Sequence, residues 1–259
     1  MSIPQGQQVS PASIGRSRLF VYATYFLCLW MYNLPEVNAV KLPVVQYKSF
    51  RFSKLNTPEF SHLNLLFGWI GYFILYFLTE TLIPAERCTP VACFLDDIIP
   101  FCEWFLIPYV LWYGLVAGSL VHFARYHIEA FRKLSTYLII TQVVAMAVYI
   151  LLPSRQDLRP AVFPRDNLLT KGVAILYSID TNTNVCPSLH VAYSLGICSV
   201  WNKEEIPRFW KRCILLFVVS VCLSTAFIKQ HSVLDALAAM PLCLFAEWFV
   251  FYRKKRRRP

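Results

Sequence analysis

The sequence predicts an all-α protein, a polytopic membrane helix bundle with six core transmembrane helices. Three observations carry this expectation. Of 259 residues, 57% are apolar and only 15% are charged, against about 45–50% and about 25% in soluble domains. Six apolar runs follow one another along the chain, and the basic residues gather on alternate connections between them. The same composition excludes a disordered chain and a collagen-like repeat. The nine cysteines lie mostly inside apolar runs and are no disulfide framework. A net charge of +10 then marks one membrane face rather than a nucleic-acid partner.

A helix needs roughly 20 apolar residues to cross the hydrocarbon core. Residues 62–83 form the first run, with Glu80 near its end. Residues 101–122 and 135–153 are the second and third. Residues 187–201 are the fourth and are short for a span, so that helix starts below the membrane surface or continues past its apolar run. Residues 211–228 and 232–252 complete the set, parted by a tight break at Lys229–His231. Residues 19–34 are ambiguous, because sixteen residues reach only about 24 Å. They fit either an extra span or a helix lying in the interface. Residues 1–61 are therefore an N-terminal segment, 62–252 the membrane domain and 253–259 a basic tail.

With the N-terminus inside, 19 of the 25 basic residues fall on the inner side and six on the outer. This asymmetry places both termini in the cytoplasm, with the tail from Arg253 to Arg258 held against an anionic leaflet. The connection 154–186 is the exception, since it lies outside and holds four of the six outer basic residues.

Polar residues cluster in three places, all on that outer face: 154–160 (SRQDLRP), 184–190 (NVCPSLH) and 224–235 (STAFIKQHSVLD). Ionisable residues at membrane depth are costly, and by default they mark function. In the second cluster Pro187 suits a first helical turn, whose free N–H groups attract an anion. Ser188 can add a donor, and His190 can exchange a proton near neutral pH. Read alone, this cluster fits a plain helix cap with a surface histidine better than a catalytic turn. In the third cluster His231 and Asp235 are four apart and share a helix face. The carboxylate can fix one imidazole tautomer and leave the other nitrogen as nucleophile or base; the competing reading is an interfacial ion pair. Arg155 and Arg159 offer guanidinium forks for phosphate oxygens, and Lys229 can add a third positive charge. Any one of these cations could equally contact a lipid headgroup. Together, basic residues, a helix N-terminus and two histidines describe phosphoryl transfer through a phosphohistidine.

In order and spacing the three clusters resemble the type 2 phosphatidic acid phosphatase superfamily, over roughly residues 62–252. Pro187-Ser188-Leu189-His190 matches that family's Pro-Ser-Gly-His motif. Ser224-Thr225, five residues, His231, three residues and Asp235 match its Ser-Arg-x5-His-x3-Asp motif, and Arg159-Pro160 retains the end of its first. Leu152 and Thr225 stand where the family carries lysine and arginine, and Arg155 and Lys229 are the candidate replacements. The Lys-Gln-His-x3-Asp form is similar to the branch of inositol phosphorylceramide and sphingomyelin synthases, which move a phospho-headgroup onto a lipid alcohol. The resemblance implies His231 as nucleophile, Asp235 as its orienter and His190 as proton donor. It implies Arg159, Ser188 and Ser224 as phosphate ligands, with no metal and no cofactor.

Other polar residues carry less. His62, His122 and His127 sit at helix ends and are expected to meet headgroups or carbonyls. Cys88 and Cys93 share a loop and could pair in an oxidising compartment. Cys186 borders the site with no base assigned to it. Asp96, Asp97 and Glu103 read as helix caps, and Asp180 and Asn184 could line the entrance. The expected function is hydrolysis or transfer of a lipid-linked phosphate at the outer face of the cell membrane, with lipids as partners and no nucleic acid. A transporter and a non-catalytic lipid-binding scaffold are the alternatives. No span carries a mid-bilayer charge to support the first, and the intact Ser-His and His-x3-Asp pairs argue against the second.

Overall fold

The computed structural model describes residues 47–253 and is mostly helical. A 3-10 segment, Ser61–Leu66, leads into α1 (Phe67–Leu82). The short α2 (Phe94–Ile98) precedes α3 (Leu106–Tyr126) and α4 (Ile128–Leu151). Next come α5 (Leu168–Ile179), α6 (Leu189–Lys203), α7 (Arg208–Phe227) and α8 (Val233–Glu247), the last continuing as a π-helical turn to Tyr252. Two residues of β1 (Thr89–Pro90) pair in parallel with β2 (Ser154–Arg155), tying the loop after α1 to the loop after α4. The expected helix at 19–34 and the basic tail beyond Arg253 lie outside the described residues.

Five helices are long and apolar enough to cross a membrane: Ser61–Leu82, Glu103–Tyr126, Ile128–Leu151, Arg208–Phe227 and Val233–Tyr252. They mark an integral membrane protein. The expected fourth span, α6, has only 15 residues, about 22 Å against a hydrocarbon core of about 30 Å. It is instead the best-buried helix of the bundle, packed against α3, α4, α7 and α8. Small residues allow this. At Gly196 an added Cβ would collide with the Tyr137 ring of α4, so only glycine permits that approach. α1 is the opposite case: among its described side chains only Thr79 is buried, while Ile70, Ile74 and Leu78 stay exposed on the face away from the cavity, as suits a lipid-facing surface.

The helix N-termini that matter for the site are capped locally. Ser232 caps α8 in a capping box whose third residue is Asp235. Ser188 caps α6 through the Val191 N–H at 3.4 Å. The Ser188 N–H donates to the Asp235 carbonyl at 3.0 Å, so the two helix starts are joined directly. At the far end of the bundle, Lys203 donates to Glu247 (2.6 Å) and to Ser199 (2.6 Å), and Ser199 donates to the other Glu247 oxygen (2.7 Å), closing a buried triad.

Candidate functional site

His231 lies in the tight turn between α7 and α8, one residue before the cap of α8. Its Nδ1 stands 3.2 Å from Asp235 Oδ2 and 3.1 Å from the Val185 carbonyl. A carbonyl can only accept, so Nδ1 carries the proton and Nε2 keeps its lone pair. Asp235 is fully buried and is held by the Ser232 N–H at 2.9 Å. The ring is therefore held through Nδ1, and its other nitrogen belongs to a residue lining a cavity of about 950 Å³.

His190, in the first turn of α6, lines the same cavity. Its ring centroid is 5.7 Å from that of His231. It stacks on Tyr109 at 4.4 Å and leans on Trp112 at 4.1 Å, and its Nε2 is buried with no hydrogen-bond partner. No carboxylate orients it, in contrast with His231. The chain entering α6 is pinned by the Tyr149 hydroxyl on the Pro187 carbonyl (2.7 Å) and by the Cys186 N–H on Ser154 Oγ (3.0 Å).

The expected phosphate ligands divide. Arg159 lies behind the cavity wall, stacked over Tyr177 at 4.5 Å. It donates to the carbonyls of Tyr177 (3.0 Å), Asp180 (2.9 Å) and Thr181 (2.8 Å), and to Gln230 Oε1 (2.7 Å). Burial lowers its pKa, and the nearby Asp180 raises it. Gln230 and Asp180 themselves face the cavity, so Arg159 reaches it only through them. Ser188 is buried as a cap. Ser224 is buried within α7, and its hydroxyl is taken by the Val221 carbonyl at 2.6 Å.

The two candidate replacement cations need correction. Arg155 donates to the carbonyls of Ala85 (2.9 Å) and Cys88 (3.4 Å) and pairs with Asp157 at 3.0 Å, so it ties two loops together. Lys229 sits at φ 56 in the left-handed region, and its Nζ donates to the carbonyls of Asp96 and Ile99, 2.6 Å each. Both cations serve backbone carbonyls, and neither lines the cavity.

Other expectations also shift. His62 is buried, with its ring 3.0 Å from the Tyr47 hydroxyl; His122 stacks on Trp201, and His127 meets Glu204 at 3.1 Å. None of the three waits on a headgroup. Cys88 and Cys93 are free thiols. Asp96 completes the capping box of the short α2 through the Cys93 N–H (2.7 Å), not that of the second span, where a cap was expected. It also takes the Ser232 hydroxyl (2.6 Å) and the Val233 N–H (2.8 Å), so it positions the start of α8 as well. Glu103 is gripped by Arg165 at 2.7 and 2.8 Å and by Asn167 at 3.0 Å, which anchors α5 to the start of α3. Asp180 and Asn184 do line the cavity. Burial, with Asp235 adding to it, pushes the Cys186 thiol up to about 12, which makes it no nucleophile.

Sequence reasoning missed Gln230, Tyr149, the Val185 carbonyl and the aromatic wall of Tyr109 and Trp112. The carbonyl leaves no trace in a sequence, and an aromatic residue inside an apolar run reads as packing. Only Gln230, next to His231 in the polar break, carried a usable signal. Among the described residues no group of three histidine, cysteine or acidic side chains could hold a metal. Set against family models, curated proteins and solved structures, the chain finds no match.

Proposed function

We propose that this protein is a membrane enzyme that cleaves a lipid-linked phosphate ester through a phosphohistidine on His231. The observation that carries the reading is the Nδ1 pairing of His231 with Asp235 and Val185, which leaves Nε2 as a lone-pair donor at a cavity. Nε2 attacks phosphorus, and the bond from phosphorus to the leaving oxygen breaks. His190 gives that oxygen its proton, then takes a proton from the acceptor hydroxyl that attacks the phosphohistidine and releases His231. Asp235 stabilises the charge that develops on the ring. The N-terminus of α6 supplies N–H groups and a positive dipole end for the phosphate oxygens. Water as acceptor gives a phosphatase; a lipid alcohol gives a phosphotransferase similar to the inositol phosphorylceramide synthase branch.

In this reading α6 counts as the sixth span, its shortness offset by burial among longer helices. The 19-to-6 distribution of basic residues supports a cytoplasmic N-terminus and a site on the extracytoplasmic face of the cell membrane. The test is to incubate the purified protein with a panel of lipid phosphates, with and without lipid alcohols. Mass spectrometry then separates free phosphate from a transferred headgroup. Neither product from any lipid of the panel would refute the reading.

A further inference from the structure

The cavity beside His231 is poor in fixed positive charge away from the α6 N-terminus. Its wall contains two carboxylates, Glu80 and Asp180, and no lysine or arginine among the described residues. Glu80 ends the cavity-facing stripe of α1. Its Oε2 accepts from Thr181 Oγ1 at 2.5 Å, and its Oε1 accepts from Thr183 Oγ1 at 3.1 Å and Asn184 Nδ2 at 2.8 Å. All three donors are neutral. The Asp180 carboxylate accepts from Gln230 Nε2 at 3.1 Å and the Tyr109 hydroxyl at 3.4 Å. Arg159 bonds only its backbone carbonyl. Among the described residues neither carboxylate is within ion-pair distance of a lysine or arginine, although Arg159 acts on Asp180 from behind the wall.

Carboxylates near membrane depth ordinarily have a cationic partner. Here the wall also carries a cluster of rings, Tyr72 and Tyr76 on α1 and Trp112 and Tyr113 on α3. Ring faces attract cations, alkylammonium groups above all. A phosphate monoester entering alone would meet the Glu80 carboxylate with no lysine or arginine in the described wall, whereas burial raises the Asp180 pKa and Arg159 behind the wall offsets its charge. A zwitterionic headgroup brings the missing charge with it.

We propose that the cavity takes a phospholipid with an alkylammonium headgroup, its cation set between Glu80 and the Tyr72, Tyr76 and Trp112 rings. The proposal rests on the phosphohistidine reading only for placing the phosphate at His231; recognition of the headgroup is independent of the chemistry. The test therefore measures binding, with the full-length wild-type protein and its His231→Ala variant in detergent. The probes are short-chain phosphatidylcholine, phosphatidylinositol and phosphatidate, with alkyltrimethylammonium and alkyl sulfate amphiphiles of equal chain length as competitors. The choline lipid should bind about tenfold or more tighter than either anionic lipid, in both proteins, and only the ammonium amphiphile should displace it. Glu80→Gln and Tyr76→Leu should each erase most of that preference without weakening the anionic lipids. Equal or tighter binding of an anionic lipid, or an unchanged preference in Glu80→Gln, overturns the proposal. In Glu80→Gln the carboxamide oxygen still accepts from Thr183 and Asn184, and its NH₂ donates to the Thr181 hydroxyl oxygen once that hydroxyl reorients, so the loop stays tied. The amphiphile competition on the wild-type protein tests the proposal even if Tyr76→Leu does not fold. Selective choline-lipid binding without turnover of any lipid would instead defeat the phosphohistidine reading and leave this one standing.

Discussion

Asp235 serves two donors through a single oxygen, the Nδ1–H of His231 and the N–H of Ser232. Asparagine there can turn its NH₂ toward the ring and favour the wrong tautomer. Asp235→Asn should therefore cripple turnover of both lipid and aryl phosphates, measured as parallel initial rates. His231→Ala should abolish both. His190→Ala should lose the lipid phosphate, whose alkoxide needs a proton, and keep part of the aryl phosphate activity. A general acid contributes roughly 100- to 10,000-fold where the leaving oxygen is poor. Equal loss of the two activities in His190→Ala would contradict the assigned roles. A second expectation concerns Cys186. With its pKa pushed up to about 12, its thiolate fraction at pH 8 is about one in 10,000, against roughly a quarter for an ordinary thiol. Peptide mapping after iodoacetamide at pH 8 should find it unmodified long after an exposed cysteine has reacted, with labelling rising as pH is raised. The His231–Asp235 pair was legible from its four-residue spacing, although His231 lies in the turn before the Ser232 cap rather than on the helix itself. Arg155 and Lys229 were misread because a sequence gives a cation's position and not its direction; both turn to backbone carbonyls instead.

At the scale of helices, the site depends on two N-termini held together, α6 and α8. Asp96 supports the second through Ser232 and Val233. Asp96→Ala leaves those donors without their partner, which should cost about 1–3 kcal/mol and lower the thermal midpoint in detergent while sharply reducing turnover. The buried Lys203–Glu247 pair at the other end invites a different comparison. Lys203→Met alone should destabilise strongly, because Glu247 is left as an uncompensated buried charge. The double variant with Glu247→Met should recover much of that loss; additive losses in thermal unfolding would contradict the triad as drawn. Five long helices were readable from hydropathy, with ends displaced by up to about seven residues, most at the start of α4, Ile128–Leu151, read as 135–153. α5 was read as part of a polar connection because twelve residues, Leu168–Ile179, fall below span length. α6 was expected to be short, but its central burial was not: alternating small and apolar residues do not reveal how many neighbours a helix has.

For the whole molecule, the cavity end and the Lys203–Glu247 end of the bundle should face opposite sides of the membrane. Asp166 is exposed beside α5, on the cavity side of the fold. With the native cysteines removed, Asp166→Cys should react with an impermeant thiol reagent in intact cells, whereas labelling only after lysis would invert the topology. The four basic residues of the 154–186 connection, which the positive-inside expectation left unexplained, have physical roles. Arg155 and Arg159 bond loop carbonyls, Arg165 grips Glu103, and Lys171 pairs with Asp166 at 3.6 Å.

The central claim is a covalent bond between phosphorus and His231, and one measurement addresses it directly. With an aryl phosphate the leaving group needs no acid, so His190→Ala should form the phosphohistidine; without a base for the acceptor, the variant should then hold it. Intact-protein and peptide mass spectrometry of that variant, quenched at neutral pH during turnover, should find the phosphoryl adduct on His231. Release of the aryl alcohol with no adduct, or with the adduct on any other residue, would contradict the account.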